Sequence, residues 1–159
     1  RGHKGNLFEG GIKVPSVVSW PAKIPQGEIR DQFVTGTDWW PTLAEWTDAK
    51  IPTDHKLDGK SIAGVIANPH MQSPHERYYW QLGNKLGQWV MREGDWKLYA
   101  KARENIRPRG VPEMTKEDKK LFLVNLRDDP GEKRNWAGDF ADKVKRLSEF
   151  ARSYQADLE

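Results

Sequence analysis

Residues 1–21 read RGHKGNLFEGGIKVPSVVSWP, and this stretch decides the fold that the rest of the chain extends. It begins as a loop dense in glycine that presents one lysine, Lys4, where an anionic group can be bound. The apolar, β-branched run from Val14 to Trp20 then predicts a short strand that is buried on both faces. Such a strand normally lies inside a sheet covered on both sides, yet the following residues supply few partners. We therefore expect this strand to be poorly covered and to associate with a second copy of the chain.

The composition limits the classes of protein to which the chain can belong. The 159 residues carry a net charge of +3, with 26 Lys and Arg against 23 Asp and Glu. Dedicated nucleic-acid binders carry a larger and more clustered positive excess, so nucleic acid is not an expected partner. No apolar run is long enough to cross a bilayer, so a membrane is not expected either. The absence of cysteine excludes disulfides and thiolate metal sites within the chain, and the eight tryptophans predict a core built on aromatic rings.

The second half of the chain predicts an antiparallel sheet. The strand candidates are residues 77–81, 88–92, 95–99 and 121–126. Glu93-Gly94 predicts a tight turn that joins the second and third strands into a hairpin. Along the third strand, Lys97 and Tyr99 share one face and Leu98 lies on the other.

Three helical segments are predicted. Asp38 is the expected N-cap of a helix that ends near Asp48, and Asp139 is the expected N-cap of the last helix. The last helix has apolar residues at helical spacing and should pack on the sheet. They are Phe140, Val144, Leu147, Ala151, Tyr154 and Leu158. The charged segment 101–120 is predicted as a long loop with one helical turn near Thr115.

Short motifs follow one another in a fixed order along the whole chain. They are Lys4 with Phe8-Glu9-Gly10-Gly11, Trp20-Pro21, Asp38 with Pro41-Thr42-Leu43, Leu57-Asp58-Gly59-Lys60-Ser61, Tyr79-Trp80, Arg92-Glu93-Gly94-Asp95-Trp96-Lys97-Leu98, and Asp129-Pro130-Gly131-Glu132 with Asn135. In this order and spacing they resemble the C-terminal portion of type I sulfatases, the arylsulfatase family of the alkaline-phosphatase-like superfamily. Each motif alone is weak, and the resemblance rests on their combination.

The resemblance implies an α/β fold that is locally α+β. Residues 1–68 would be the last part of the sulfatase catalytic domain, the tail of an alkaline-phosphatase-like domain. Residues 69–159 would form a small subdomain, a four-stranded antiparallel sheet with a C-terminal helix. We therefore expect the chain to be the C-terminal portion of a larger enzyme, with the upstream part of the catalytic domain as its partner.

The resemblance also implies cofactors that this chain does not hold. In the family, a Cys or Ser is converted to formylglycine, whose hydrate attacks sulfur beside a calcium ion held by Asp and Asn side chains. Neither a Cys-x-Pro-Ser-Arg motif nor an Asp-Asn-Gly motif occurs here. We expect calcium and formylglycine in the full-length enzyme, no metal or cofactor on this chain, and no turnover of sulfate esters by this chain alone. The implied location of the full-length enzyme is periplasmic or secreted.

The candidate site residues are carried over from the family's motifs. Lys4 is the candidate catalytic residue, because in the family its ammonium contacts a sulfate oxygen and stabilises the negative charge that develops during cleavage. His3 is adjacent to Lys4, while Arg77 and Trp80 lie on the strand that approaches the substrate cleft in relatives. These three are candidate substrate-binding residues. An aromatic ring beside a cation suits a sulfated sugar, so the expected substrate is a sulfated small molecule or glycan.

Other interpretations of the same residues stay open. Residues 9–11 are interpreted as a turn whose glycines accept positive φ, with Glu9 bonded to nearby backbone. Asp38 and Asp58 are interpreted as a cap and a turn residue and not as a catalytic pair. The segment 101–120 is either a surface for a polyanionic glycan or a solvated insertion. The alternative functions are hydrolysis of phosphate mono- or diesters and a non-catalytic glycan-binding or scaffold module.

Overall fold

The computed structural model describes residues 1–54, 56–84, 87–104 and 107–157 and divides the chain into two compact units. The sheet unit comprises Arg1–Pro15 and Arg77–Glu159, and the helical unit comprises Ser16–Glu76. The helices and strands are α1 (Glu9–Ile12), α2 (Trp39–Thr47), α3 (Ala63–Ala67), β1 (Arg77–Leu82), β2 (Gln88–Glu93), β3 (Trp96–Ala100), α4 (Lys116–Lys120), β4 (Leu121–Asn125) and α5 (Ala141–Ala156). The first residues thus belong to the same unit as the sheet. The division into residues 1–68 and 69–159, which concerns the domains of a whole sulfatase, stays a prediction.

The sheet unit is built on one antiparallel sheet with the strand order β1-β2-β3-β4. The turn between β2 and β3 contains Gly94 at φ 56°, which confirms the predicted hairpin. One row of paired residues crosses the sheet from Trp80 through Val90 and Tyr99 to Phe122. Side chains alternate along each strand, so this row lies on a single face.

Different segments cover the two faces of the sheet. Phe8, from the start of the chain, packs on the face that carries Tyr99 in one buried cluster. Leu147 and Ala151 of α5 pack on the opposite face, which carries Leu98. The alternation predicted along β3 is therefore confirmed, and so is the prediction that the last helix packs on the sheet.

The boundaries of the last two helices follow local hydrogen bonds. Thr115 caps α4 through its hydroxyl, which accepts from the Asp118 N–H at 3.1 Å, and this confirms the predicted helical turn. The predicted N-cap at Asp139 is wrong, because α5 begins at Ala141 and its cap residue is Phe140, which forms no side-chain cap bond. The Asp139 carboxylate instead accepts from the Arg134 guanidinium at 3.3 Å. Residues 105 and 106 of the predicted loop, and Leu158, lie outside the described residues.

The predicted strand from Val14 to Trp20 does not form in this chain. These residues have no regular secondary structure, and the side chains of Val14 and Val17 are 74% and 92% exposed. An extended segment without a neighbouring strand makes no ladder hydrogen bonds, so nothing stabilises its backbone as a β-strand. The prediction of a buried strand is therefore wrong for this chain, the prediction that this segment is poorly covered is confirmed, and association with a second copy stays a prediction.

The helical unit is organised around the buried carboxylate of Asp38. Its oxygens accept from the Thr35 N–H at 2.6 Å and the Lys60 N–H at 2.9 Å, and His75 Nε2 lies 2.7 Å away. Asp38 is the N-cap residue of α2, as predicted, but its side chain forms no cap hydrogen bond with that helix. Asp38 instead joins three separate segments of the unit.

A second contact in the helical unit joins two of the sequence motifs. The Thr42 hydroxyl donates to the Asp38 carbonyl at 2.6 Å and accepts from the Ile62 N–H at 2.9 Å. The hydroxyl of one threonine thereby joins the Pro-Thr-Leu motif to the residue that follows the Leu-Asp-Gly-x-Ser turn. Within the described ranges, none of the helices is long and apolar enough to cross a lipid bilayer.

Candidate functional site

Residues 1–10 form a closed surface loop, called the Lys4 loop from here on. The Gly10 N–H donates to the Arg1 carbonyl oxygen at 2.8 Å and joins the two ends of the loop. Lys4 lies at the exposed tip, and the neighbouring His3 is half-buried. An ammonium group at the tip of a closed loop is accessible to an anion in solvent.

Glycine is required in the Lys4 loop and in α1 for two different structural reasons. Gly2 and Gly5 flank the tip at φ 77° and 84°, a backbone region that residues with a Cβ rarely adopt. Gly10 and Gly11 are helical, so the predicted positive φ in this turn is wrong. A Cβ on Gly10 would lie 2.6 Å from the Arg1 carbonyl oxygen, so close backbone approach excludes a side chain there.

The underside of the Lys4 loop is anchored to the sheet by apolar and polar contacts. Phe8 is fully buried and stacks on Tyr99 with 4.5 Å between ring centroids, and it meets Phe122 edge-on at 6.0 Å. The Asn6 amide donates to the Arg103 carbonyl at 2.7 Å, and its oxygen accepts from the Phe8 N–H at 3.0 Å. The buried side of the loop is therefore fixed on the face that carries Tyr99.

The beginning of the loop is anchored separately through the buried side chain of Arg1. Its Nε lies 3.1 Å from a carboxylate oxygen of Glu104, and its guanidinium also donates to the Pro112 carbonyl. The same guanidinium lies 5.3 Å from the ring centroid of Phe122. These contacts attach the loop to the segment between β3 and α4.

A buried ionic cluster lies beneath the end of the loop. The Lys97 ammonium donates to the Leu7 carbonyl at 3.0 Å and to the Glu9 carboxylate at 2.6 Å. Glu132 accepts from the Glu9 N–H at 2.7 Å and from the Tyr99 hydroxyl, and its carboxylate lies 3.6 Å from the Lys97 ammonium. The side chains of Lys97 and Glu132 are both 0% exposed. The cluster therefore joins the loop, β3 and the turn after β4, and only the Glu9 side chain, at 14%, is partly exposed.

Burial shifts the pKa values in this cluster against the charged forms. It lowers the pKa of Lys97, although the charges of Glu132 and Glu9 oppose the shift. It raises the pKa of Glu132, which the charge of Lys97 opposes. Burial raises the pKa of Tyr99 well above 10.0, and the neighbouring charge of Glu132 raises it further. At neutral pH the Tyr99 hydroxyl therefore keeps its proton and donates it to Glu132 in a hydrogen bond.

The predicted site residues lie on both faces of the sheet. Trp80 packs against the cluster that contains Phe8, so it shares a face with the Lys4 loop. Arg77 lies on the opposite face, with its guanidinium 4.0 Å from the ring centroid of Phe150 in α5. The structure thus brings Trp80 to the same side as His3 and Lys4 and places Arg77 elsewhere.

The residues present do not fit the cofactors that the family implies. In the described ranges, no group of three or more His, Asp or Glu side chains is arranged to hold a metal ion. The carboxylates of Glu9 and Glu132 are already used by Lys97 and Tyr99. The chain also lacks the Cys-x-Pro-Ser-Arg motif that surrounds the formylglycine precursor in the family. Neither calcium nor formylglycine is assigned to these residues.

Solved structures of other proteins share the fold of this chain. The PsFucS1 sulfatase from Pseudoalteromonas sp. matches 98% of this chain, and the match covers 32% of that protein, at 20% identity with a TM-score of 0.77. A Bacteroides thetaiotaomicron protein, described with a locus that orchestrates metabolism of multiple glycosaminoglycans, matches the same shares at 24% identity with a TM-score of 0.75. The fold is the C-terminal portion of the alkaline-phosphatase-like fold of sulfatases, as predicted.

A match to a family model identifies the family of the chain. The model for N-sulphoglucosamine sulphohydrolase, C-terminal, matches residues 3–105, and the chain belongs to this family of sulfatase C-terminal domains. Mouse steryl-sulfatase is 29% identical over 150 residues, which are 84% of this chain and 24% of that protein. An arylsulfatase from Hemicentrotus pulcherrimus is 34% identical over 99 residues, which are 62% of this chain and 17% of that protein. The chain spans about a quarter or less of these relatives.

The ionic cluster is the part of the site that the sequence analysis missed. Lys97 was placed correctly on the face of Tyr99, and a lysine on an otherwise apolar face requires a buried carboxylate partner. That pattern indicates that a partner exists. It does not identify Glu9 and Glu132, which are distant in sequence.

Proposed function

We propose that this chain forms the C-terminal part of a sulfatase that hydrolyses sulfate esters, and that Lys4 binds the sulfate group during the reaction. The observation that carries the proposal is the Lys4 loop. It offers an exposed ammonium at its tip, and its base is fixed by buried contacts, in a chain that belongs to a sulfatase family. One ammonium about 4 Å from a sulfate oxygen contributes on the order of 4 kcal/mol at an effective dielectric constant near 20, before desolvation.

Lys4 is proposed to act on the charge that develops in the transition state. Negative charge grows on the sulfuryl oxygens and on the leaving oxygen as the sulfate ester is cleaved, and a fixed ammonium stabilises that charge more than the charge of the ground state. His3 and Trp80, on the same side as Lys4, are proposed to line the substrate. A sulfated carbohydrate suits this combination of a cation and an aromatic ring.

The remaining machinery is proposed to come from residues outside this chain. Formylglycine, from a Cys or a Ser, would supply the nucleophile, and calcium would be held by carboxylate and amide side chains there. This chain alone is therefore proposed to be inactive on sulfate esters. The upstream part of the catalytic domain is its proposed partner, and the proposed location of the full-length enzyme is periplasmic or secreted.

The test is the Lys4→Ala variant of the full-length enzyme with an aryl sulfate as substrate. We expect kcat to fall by roughly 100- to 1000-fold, as for the loss of one fixed donor to a developing anion. Lys13→Ala, which removes an exposed lysine just after α1, is the matched control and should keep wild-type kinetics. Unchanged kinetics of Lys4→Ala would remove Lys4 from the mechanism. A wild-type preference for phosphate esters over sulfate esters would instead favour phosphoester hydrolysis.

A further inference from the structure

We propose that Lys97 is a positioning residue for Lys4 and that the buried cluster of Lys97, Glu9 and Glu132 sets the orientation of the Lys4 loop. The inference rests on the proposed role of Lys4 in binding sulfate. It assigns a function to side chains that are buried, apart from the 14% of the Glu9 side chain that is exposed, and that do not touch the substrate themselves.

The cluster holds the backbone just after the tip from two sides. The Lys97 ammonium binds the Leu7 carbonyl at 3.0 Å and the Glu9 carboxylate at 2.6 Å. From the other side, Glu132 accepts the Glu9 N–H at 2.7 Å. A carbonyl, an N–H and a side chain within three consecutive residues are therefore fixed to the sheet. Together with the anchors at Asn6 and Phe8, these bonds fix the path of the chain between Lys4 and α1.

The tip itself lacks comparable support. Lys4 and Gly5 are exposed, and a Cβ built on Gly5 meets nothing within 4 Å. The exposed side of the tip is therefore not held by packing. The orientation of the tip is set by the buried parts of the loop on either side of it, and the cluster holds one of these parts.

Stability alone does not account for charged groups at this position. Removing a lysine and carboxylates from water is costly, and well-packed apolar residues of similar volume are often equally or more stabilising. Hydrogen bonds from an ammonium differ from apolar contacts in direction, because each N–H requires an acceptor at a defined place. A cluster that is 0% exposed at both Lys97 and Glu132 is suited to fixing geometry.

The backbone at Glu132 supports the same conclusion. Glu132 adopts a left-handed conformation at φ 53°, which costs a residue with a Cβ about 1–2 kcal/mol. This conformation accompanies the inward carboxylate that binds the Glu9 N–H and the Tyr99 hydroxyl. Backbone conformations of this kind persist where the surrounding contacts determine them, and they cluster at functional sites.

The experiment is a double-mutant cycle in the full-length enzyme, using Lys97→Met and Lys4→Ala with an activated aryl sulfate. Rates are normalised to folded enzyme. We expect Lys97→Met to lower kcat by roughly 10- to 100-fold with little change in KM, since displacement of a catalytic group by about 1 Å costs up to ~100-fold. In the Lys4→Ala background, the same substitution should change kcat by less than about twofold, because both act through one group.

Hydrogen exchange supplies a second measurement that does not depend on turnover. Lys97→Met should increase amide exchange in residues 3–8 without increasing it in β2. Glu9→Gln, which keeps the size of the side chain, should likewise lower kcat and increase amide exchange in residues 3–8. If Lys97→Met does not fold, Glu9→Gln tests the positioning role of the cluster in its place. Lys145→Met, an exposed lysine on α5, is the control and should change neither kcat nor exchange.

The outcomes separate the inference from the proposed function. Equal loss of kcat in both backgrounds, or unchanged exchange in the loop, would overturn the positioning role of Lys97. Unchanged kcat in Lys4→Ala would instead refute the role of Lys4, on which the inference rests.

Discussion

The Lys97 ammonium lies 2.6 Å from the Glu9 carboxylate, although 88 residues separate them in the chain. Glu132, from a third part of the sequence, completes the cluster. The motifs Phe-Glu-Gly-Gly, Gly-x-Trp-Lys-Leu and Asp-Pro-x-Glu therefore meet at one buried point beneath the Lys4 loop. The contacts between these three motifs attach the loop to the sheet.

Loss of the Glu132 side chain should destabilise the sheet unit strongly. Glu132→Ala leaves the Lys97 ammonium, the Tyr99 hydroxyl and the Glu9 N–H without their shared acceptor. Breaking a buried charge cluster by removing one partner costs about 3–5 kcal/mol. Urea unfolding followed by tryptophan fluorescence measures the loss. Glu113→Ala, which removes an exposed carboxylate, should change the free energy of unfolding by less than about 0.5 kcal/mol.

Tyr99 should make the free energy of unfolding of the sheet unit fall at alkaline pH. Its pKa in the folded state is raised well above 10.0, so the folded state keeps a proton that the unfolded state releases. The stabilising contribution is complete below pH 10.0 and is lost as pH rises through the folded pKa, at up to ~1.4 kcal/mol per pH unit. Burial lowers the pKa of Lys97 from 10.5, so the unfolded state holds a proton that the folded state has released. This difference raises the free energy of unfolding as pH rises, which opposes the effect of Tyr99. The opposition ends above pH 10.5, where Lys97 is deprotonated in both the folded and the unfolded state.

The Tyr99 effect is therefore tested above pH 10.5, where Lys97 no longer opposes it. We expect the difference in the free energy of unfolding between wild type and Tyr99→Phe to shrink as pH rises to about 11.5. Tyr154→Phe, at an exposed tyrosine of α5, is the control and should leave the pH dependence of wild type intact. A constant difference between wild type and Tyr99→Phe would contradict the raised pKa.

Gly10, at the start of α1, should not tolerate a side chain, because the Arg1 backbone lies against it. Gly10→Ala places a Cβ 2.6 Å from the Arg1 carbonyl oxygen, and the rigid backbone on both sides must shift. We expect a loss of stability of roughly 1–3 kcal/mol, as for overpacking. Gly138→Ala is the control, because its Cβ meets nothing within 4 Å and its φ is not positive. Thermal unfolding compares the two variants, and equal midpoints would show that the loop tolerates the close contact.

Short-range patterns account for what the sequence predicted correctly. The hairpin at Gly94, the alternation of Lys97 and Leu98 along β3, and the apolar face of α5 depend on periodicity and turn chemistry. The buried strand from Val14 to Trp20 was wrong because composition indicates that a segment is apolar, and not whether a neighbouring strand is available.

Long-range polar contacts account for what the sequence did not predict. Glu9 was expected to bond to nearby backbone, and its carboxylate binds Lys97 on β3. Asp38 was expected to cap a helix, and its carboxylate joins segments around Lys60 and His75. Both carboxylates obey the rule that buried polar groups are hydrogen-bonded. The rule does not identify the partner, because the tertiary fold decides which donor is nearby.

The buried carboxylate of Asp38 should be essential to the helical unit, whereas that of Asp58 should not. Asp38→Ala leaves the Thr35 and Lys60 N–H groups and the buried His75 ring without their acceptor. Each unsatisfied buried donor costs about 1–3 kcal/mol, so we expect Asp38→Ala to unfold this unit or destabilise it by several kcal/mol. Asp58→Ala removes an exposed carboxylate from the turn before α3 and should cost less than about 1 kcal/mol. Hydrogen exchange of the α2 and α3 peptides distinguishes the variants. Equal protection in both would show that the contacts of Asp38 do not hold the unit together.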